Sequence, residues 1–127
     1  MQTLTQPVIY LDEATADILY DIASAAPDGS RATATRLLRE LERANIVPSG
    51  ELPDKVVRLG VKVTYKDTDT GRVRTGTIVL PADADVNAGR ISVLSPVGAG
   101  LIGLEENSAI SWQIGNRETS LLVLKVG

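Results

Sequence analysis

The spacing of the apolar residues changes near residue 50, and this change constrains the fold more than any other feature of the sequence. Before it, apolar residues recur every three or four positions, which is the period of an amphipathic helix. After it, Val61, Val63 and Tyr65 alternate with polar residues, as in a strand with one buried face. Prolines and a glycine within 46–53 separate the two patterns. We therefore predict a helical segment, 1–50, followed by a β-rich domain, 51–127.

The helical segment is predicted to contain two helices. Asp12 is a suitable N-cap for the first helix, and the breaker residues 27–30 end it. Ser30 can cap the second helix. Because so short a loop forces the two helices to lie antiparallel, we predict a short, coiled-coil-like hairpin in which Ile18, Ile22, Leu38 and Leu41 face one another. The full apolar stripes are Leu11, Thr15, Ile18, Ile22 and Ala25 in the first helix, and Ala34, Leu37, Leu38, Leu41 and Ala44 in the second.

Charged residues are segregated between the two helices. The first helix and the turn carry only acids, whereas the second places Arg36, Arg39 and Arg43 on one side. An antiparallel arrangement brings Asp21 near Arg36 and Asp17 near Arg39. We interpret the arginines as a solvated face with weak ion pairs of about 0.5 kcal/mol each. The alternative interpretation is a stripe that faces a polymerase or a nucleic acid.

The β-rich domain is predicted to be a mostly antiparallel sheet with one short helix. Asp67 begins a hairpin turn in which Gly71 suits positive φ. The helix is expected at 97–102, with Pro96 in its first turn. A second turn is expected at Gly115. The expected strands are 61–66, 73–80, 91–94, 110–114 and 121–126.

The composition removes most catalytic chemistry. The chain has no cysteine and no histidine, so it has no thiolate metal site and no catalytic set built on either residue. The glycines within 98–103 lack the spacing and the Lys-Ser/Thr of a phosphate loop. Asp67 and Asp69 fit a β-turn better than a calcium loop. Trp112 fits a core position better than a ligand-stacking platform. We expect no enzymatic activity, no cofactor and no metal.

Charge and hydropathy point to a protein partner. The net charge is −3, without the basic surface expected of a nucleic-acid binder. The start of the chain does not resemble a signal peptide, and its most apolar run, 91–104, is shorter than the roughly 20 residues of a transmembrane helix. We expect a cytoplasmic monomer that binds a protein and contacts neither nucleic acid nor membrane directly.

The segment Ser92–Gly103 carries a family resemblance. Its Ser-Pro, its small residues and its Leu-Ile-Gly ending resemble the C-terminal domain of the Gre transcript-cleavage factors. The chain resembles in particular the Gre-like regulators of nucleoside diphosphate kinase, which join a stunted helical hairpin to that domain. It departs from the family at 106–108, where Glu-Asn-Ser replaces the usual Val-Gly-Asp. Further similar segments are 51–53, 61–63, 79–81 and 109–112.

The resemblance implies a fold and a partner. The fold is an FKBP-like α+β arrangement, a twisted antiparallel sheet against a short helix. Family members dock on bacterial RNA polymerase at the rim of the secondary channel, and the resemblance places the contact at Ser95, Pro96 and Val97. The alternatives are an FKBP-like protein-interaction module, a peptidyl-prolyl isomerase, and a regulator of nucleoside diphosphate kinase levels. The isomerase is disfavoured because its pocket is usually lined by several aromatic residues, and the chain has only three Tyr, one Trp and no Phe.

The tip of the hairpin argues against transcript cleavage. True Gre factors present two carboxylates there, which help to hold a catalytic Mg²⁺. Here the tip has a single acid, Asp28, which we interpret as a turn residue bonded to local backbone. A second helix of about sixteen residues gives an arm of only about 24 Å. We therefore predict a regulator that occupies the Gre site on the polymerase without cleaving RNA.

Overall fold

The computed structural model describes residues 2–5, 7–114 and 116–127, and it confirms the α+β class. A helical hairpin is followed by a curled, six-stranded mixed sheet that carries one short helix. The strands are β1 (Gln2–Thr5), β2 (Tyr10–Asp12), β3 (Asn45–Val47), β4 (Lys62–Asp67), β5 (Val73–Val79), β6 (Arg90–Ser92), β7 (Ala109–Ile114) and β8 (Arg117–Val126). The helices are α1 (Glu13–Ser24), α2 (Arg31–Arg43) and α3 (Pro96–Leu101).

The large sheet is mostly antiparallel, as predicted, with one parallel pair at an edge that the sequence did not indicate. Its order is β1-β7-β8-β4-β5-β6, and only β5 and β6 run parallel. The connection 80–89 contains two short 3₁₀ turns and brings the chain back beside Thr77, near the end of β5. From there β6 runs in the same direction as β5, so that Ser92 lies beside Val79.

The N-terminal segment contributes strands that the sequence did not indicate. β1 pairs antiparallel with β7 and so forms an edge of the large sheet. β2 and β3 pair in parallel and hold together the two ends of the hairpin. The predicted linker 46–53 therefore begins inside a strand. The division into 1–50 and 51–127 stays a prediction, and one hydrophobic cluster includes residues from both sides of it.

The hairpin exists as predicted, but its buried face is different. Asp12 caps α1, with its side chain accepting from the Thr15 amide, and Ser30 precedes α2 without a side-chain cap bond. The fully buried leucines are Leu19 and Leu37, whereas Ile18 is 42% exposed. The predicted core would be buried if the two helices packed only on each other. Because α2 also packs on α3, the side of α2 that is buried is rotated about the helix axis relative to the predicted one. Ile22, Leu38 and Leu41 are partly buried.

The prediction of a solvated arginine face is wrong at Arg36, whereas Arg39 is exposed. Arg36 is 3% exposed, and its guanidinium carbon lies 4.7 Å from the centroid of the Trp112 ring. Arg31 forms an ion pair with Asp28, and Arg43 forms one with Glu40. The aromatic face that receives Arg36 comes from β7, which the pattern of the hairpin alone does not reveal.

The β-turn after β4 is confirmed. One carboxylate oxygen of Asp67 accepts from the amides of Asp69 at 3.0 Å and of Thr70 at 3.3 Å. Gly71 has φ of +77°. The aspartates thus serve the turn. The turn predicted at Gly115 lies outside the described residues.

The departure from the family pattern at 106–108 keeps the backbone conformation that a glycine would supply. Asn107 has φ of +73°, and asparagine tolerates this left-handed region better than most residues. Its amide donates to the Val123 carbonyl at 2.8 Å. The adjacent Glu106 carboxylate accepts from the Val126 amide at 3.0 Å, which joins this loop to the last strand.

Candidate partner-binding site

Ser95 is held by hydrogen bonds on both sides of its hydroxyl group. It caps α3, with its Oγ accepting from the Gly98 amide at 3.1 Å. The same Oγ donates to the Ser92 carbonyl at 2.6 Å. The Ser95 amide also donates to that carbonyl, at 2.9 Å. The hydroxyl group is therefore occupied within the chain, and Ser95 fixes the shape of this edge.

Pro96 and Val97 lie together in the first turn of α3. Pro96 is exposed at the first helical position, where its missing N–H costs no hydrogen bond. Val97 is partly buried and packs against the hydrophobic core. Of the three consecutive residues that the resemblance suggested, Pro96 is exposed, and Ser95 and Val97 are partly exposed.

Two glycines allow α3 to pack tightly. A Cβ at Gly98 would lie 2.1 Å from the Ser92 carbonyl oxygen, a distance that no side chain tolerates. A Cβ at Gly100 would lie 3.1 Å from the Trp112 ring. Close packing against the sheet is therefore sufficient to explain these glycines. Trp112 is 1% exposed, which confirms that it is a core residue.

A buried cluster of charged residues fixes the hairpin relative to the sheet. Glu40 is 5% exposed and pairs with Arg43, whose other guanidinium nitrogen donates to the Pro7 carbonyl at 2.6 Å. Arg36 lies one turn before Glu40 and stacks on Trp112. Burial lowers the pKa of Arg36, whereas the nearby Glu40 carboxylate raises it. Sequence reasoning missed this cluster, because arginines at helical spacing look the same whether they face water or a tryptophan.

The tip of the hairpin holds a single acid. The Asp28 carboxylate accepts from the Arg31 guanidinium at 2.6 Å, and both side chains are largely exposed. The prediction that Asp28 bonds to local backbone is replaced by this side-chain pair. α2 has 13 residues rather than about sixteen, and at 1.5 Å per residue it spans about 20 Å. The arm is thus short, and its one carboxylate is paired with a cation.

A groove of about 500 Å³ lies beside Ser95. Tyr65 is the one aromatic residue among the described residues that line it. Within the described part of the chain, no group of three potential metal ligands comes together. No described helix has the length and apolar character needed to cross a membrane. The chain thus offers two adjoining surfaces, the α3 edge and the groove.

Comparison with known proteins gives the class to which this fold belongs. The chain belongs to the Gre transcription elongation factor family, because residues 52–127 match the family described as "Transcription elongation factor, GreA/GreB, C-term". Residues 7–47 match the family described as "Rnk N-terminus". Together the two matches place the chain among Gre-like, transcription-related regulators.

A particular relative has nearly the same length. The chain is 30% identical over 124 residues to the "Regulator of nucleoside diphosphate kinase" of Escherichia coli K12, covering 97% of this chain and 91% of that protein. Against GreA of Azorhizobium caulinodans it is 38% identical over 71 residues, covering 56% of this chain and 45% of that one. A solved GreA/GreB factor from Nitrosomonas europaea superposes with a TM-score of 0.72 at 28% identity, covering 95% and 98% of the two chains.

Proposed function

We propose that this protein binds bacterial RNA polymerase near the secondary channel and regulates transcription without stimulating transcript cleavage. It occupies the site that Gre factors use and thereby competes with them. It acts as a monomer, and it makes no direct contact with nucleic acid. Membership in the Gre family supports the partner. The observation that carries the absence of cleavage is the single, ion-paired acid at the tip of a short arm.

The chemistry of the tip supports this proposal. A magnesium ion that assists RNA cleavage is a hard cation, which needs additional carboxylate oxygens beside those of the polymerase. Asp28 supplies one carboxylate, and it accepts a hydrogen bond from the Arg31 guanidinium at 2.6 Å on the exposed surface. An arm of about 20 Å also limits how far the tip extends from the docked domain. The tip can therefore fill space in a channel, but it does not assemble a metal site.

The geometry of α3 supports docking at the edge formed by Ser95, Pro96 and Val97. An exposed proline and a partly buried valine on a rigid turn form a small, preorganised apolar surface. Preorganised surfaces lose little conformational entropy when they bind. Ser95 supports this edge through its two hydrogen bonds. Binding energy is expected to concentrate at Pro96, because it is the most exposed member of the three.

A direct binding assay with the whole chain tests the docking edge. Pro96→Glu places a charge at the contact while retaining a residue that the first turn of a helix accepts. It should weaken polymerase binding at least tenfold, and Pro48→Glu, at an exposed proline after β3, should leave it unchanged. Val97→Asp should weaken binding too, but it also perturbs the core and must be checked for folding. Equal affinities of Pro96→Glu and the unmodified chain would contradict the assignment.

A second candidate function is suggested by the name of the Escherichia coli relative, which refers to nucleoside diphosphate kinase. The similarity extends over 97% of this chain, so it includes the hairpin as well as the sheet domain. Control of that enzyme through transcription is compatible with the first proposal, whereas direct contact with the enzyme is not required by it. Sedimentation of the purified kinase with the purified protein distinguishes transcriptional control from direct contact, because only direct contact produces a complex of the two proteins.

A further inference from the structure

The groove beside Ser95 has an apolar floor. Tyr65 is 6% exposed at its base, and the side chain of Ile91 lies beside it. Gly76 makes room for that side chain, since a Cβ there would lie 2.6 Å from the Ile91 Cδ1 atom. Val86 stands at the rim with 93% of its surface exposed, an unusual degree of exposure for an apolar side chain at a concave site. The groove can therefore bury an apolar side chain between its floor and its rim.

Two arginines give the groove a positive charge on an acidic protein. Arg74 and Arg90 line it, and no acid is among its described lining residues. Asp85 pairs with Arg90 at 3.5 Å, and the Asp83 carbonyl accepts from the Arg90 Nε at 2.9 Å, so Arg90 is oriented and partly neutralised. Arg74 forms no ion pair with any described residue, although the chain as a whole carries a net charge of −3. The local charge thus favours an acidic group.

Arg74 places its positive charge on the same face of the sheet as the apolar floor. Arg74 is the cross-strand partner of Tyr65, and partners in a ladder point to the same face of the sheet. Burial raises the pKa of Tyr65, and the nearby Arg74 opposes that rise. An occupant seated on Tyr65 therefore has a guanidinium group within reach.

β6 supplies Ile91 and Ser92 to the lining of the groove. Its outer backbone groups are used within the chain, because Arg90 exchanges two hydrogen bonds with Asp85 and the Ser92 carbonyl accepts from Ser95. An occupant is therefore held by side-chain contacts with the floor and rim of the groove, rather than by pairing with the sheet edge. Ser95 belongs both to this lining and to the docking edge of α3, so one partner can cover both surfaces.

We propose that this groove seats a segment of the protein partner in which an apolar side chain is followed by a carboxylate. The apolar side chain packs on Tyr65 and Ile91, and the carboxylate accepts hydrogen bonds from Arg74. The inference rests on the proposed function in one respect: because Ser95 is shared, the segment belongs to the RNA polymerase. A carboxylate suits a guanidinium group because two parallel N–H···O bonds fit its planar fork.

Titration of the ¹⁵N-labelled full chain with capped peptides tests the chemistry. The probes are acetyl-Ala-Leu-Glu-Ala-amide and its glutamine counterpart, which differ only in charge. The acidic probe should shift the amide resonances of Arg74, Gly89 and Ile91 and bind roughly threefold more tightly than the neutral probe, as expected for a partly exposed ion pair. Arg74→Gln should abolish that difference, and Arg117→Gln, at an exposed arginine outside the groove, should preserve it.

Polymerase binding by the same variants separates the two proposals. Arg74→Gln should weaken binding of the full chain to RNA polymerase roughly threefold, and the effect should shrink at high salt. The inference is overturned if both peptides bind equally, if neither shifts the groove resonances, or if the polymerase binds Arg74→Gln as tightly as the unmodified chain. The last result leaves docking at Pro96 intact. Failure of the unmodified chain to bind polymerase contradicts the proposed function. In that case the peptide titration alone tests whether the groove binds an apolar side chain followed by a carboxylate.

Discussion

Because the buried side of α2 is rotated, we predict that truncating two adjacent leucines to alanine lowers the free energy of unfolding by different amounts. Leu37 is fully buried in the core, whereas Leu38 is only partly buried. Leu37→Ala removes apolar surface and leaves a cavity, and a fully buried leucine typically costs about 3 kcal/mol in the free energy of unfolding when it is truncated to alanine. At Leu38 solvent can fill part of the space, so the expected cost is about 1 kcal/mol.

Urea unfolding followed by the fluorescence of Trp112 measures both costs. The midpoint should fall much further for Leu37→Ala than for Leu38→Ala, at an unchanged slope. In a thermal scan the larger loss corresponds to a melting temperature lower by on the order of 10 °C. Because the two substitutions are chemically identical, each controls for the other. If Leu38→Ala cost as much as Leu37→Ala, the described rotation of α2 would be refuted.

Two further predictions concern local geometry. Gly98→Ala should destabilise the fold severely, because its Cβ would lie 2.1 Å from the Ser92 carbonyl oxygen, whereas Gly29→Ala, with no atom within 4 Å, should be nearly neutral in the same urea titration. Asp12→Ala should cost about 1 kcal/mol at neutral pH, through loss of the α1 cap. The hydrogen bond from Thr15 lowers the pKa of Asp12 in the folded state. The cap therefore stabilises the fold above the ordinary pKa of aspartate, and the difference between the variant and the unmodified chain should shrink as the pH falls below about 4.

Local signals in the sequence were sufficient at several turns and caps, although Ser30 forms no side-chain cap bond and Asp28 pairs with Arg31 instead of local backbone. The cap at Asp12, the turn at Asp67 and the start of α3 at Ser95 each depend on one side chain and the backbone within three residues of it. Such short-range hydrogen bonds follow from residue type and spacing alone. The α+β class followed from the change of period, and the family followed from the segment at 92–103.

Features that depend on distant segments were not predictable in this way. β1 pairs with β7, more than a hundred residues later, and nothing in its four residues indicates that partner. The burial of Arg36 depends on the Trp112 ring, and its helical spacing resembles that of a solvated face. The groove likewise assembles Tyr65, Arg74 and Ile91 from three strands. Tertiary contacts, rather than propensity, decided each of these cases.

The shared core also limits how the chain can be dissected. The N-terminal residues Ile9 and Leu11 are each 2% exposed and belong to the same cluster as Leu104 and Trp112. The Tyr10 amide donates to the Gly103 carbonyl at 2.9 Å. Removing the first fifty residues would therefore expose core surface of the C-terminal part, so binding experiments require the full chain.

Competition between this protein and a Gre factor in a transcript-cleavage assay tests the proposed function directly. The measurement is RNA release from backtracked elongation complexes that contain a Gre factor and increasing amounts of this protein. We predict that the protein alone releases no RNA above the rate of polymerase alone, and that it lowers the cleavage stimulated by the Gre factor in proportion to its occupancy. Mg²⁺-dependent cleavage stimulated by the protein itself, or Gre-stimulated cleavage that remains constant at saturating amounts of it, would contradict the proposed function.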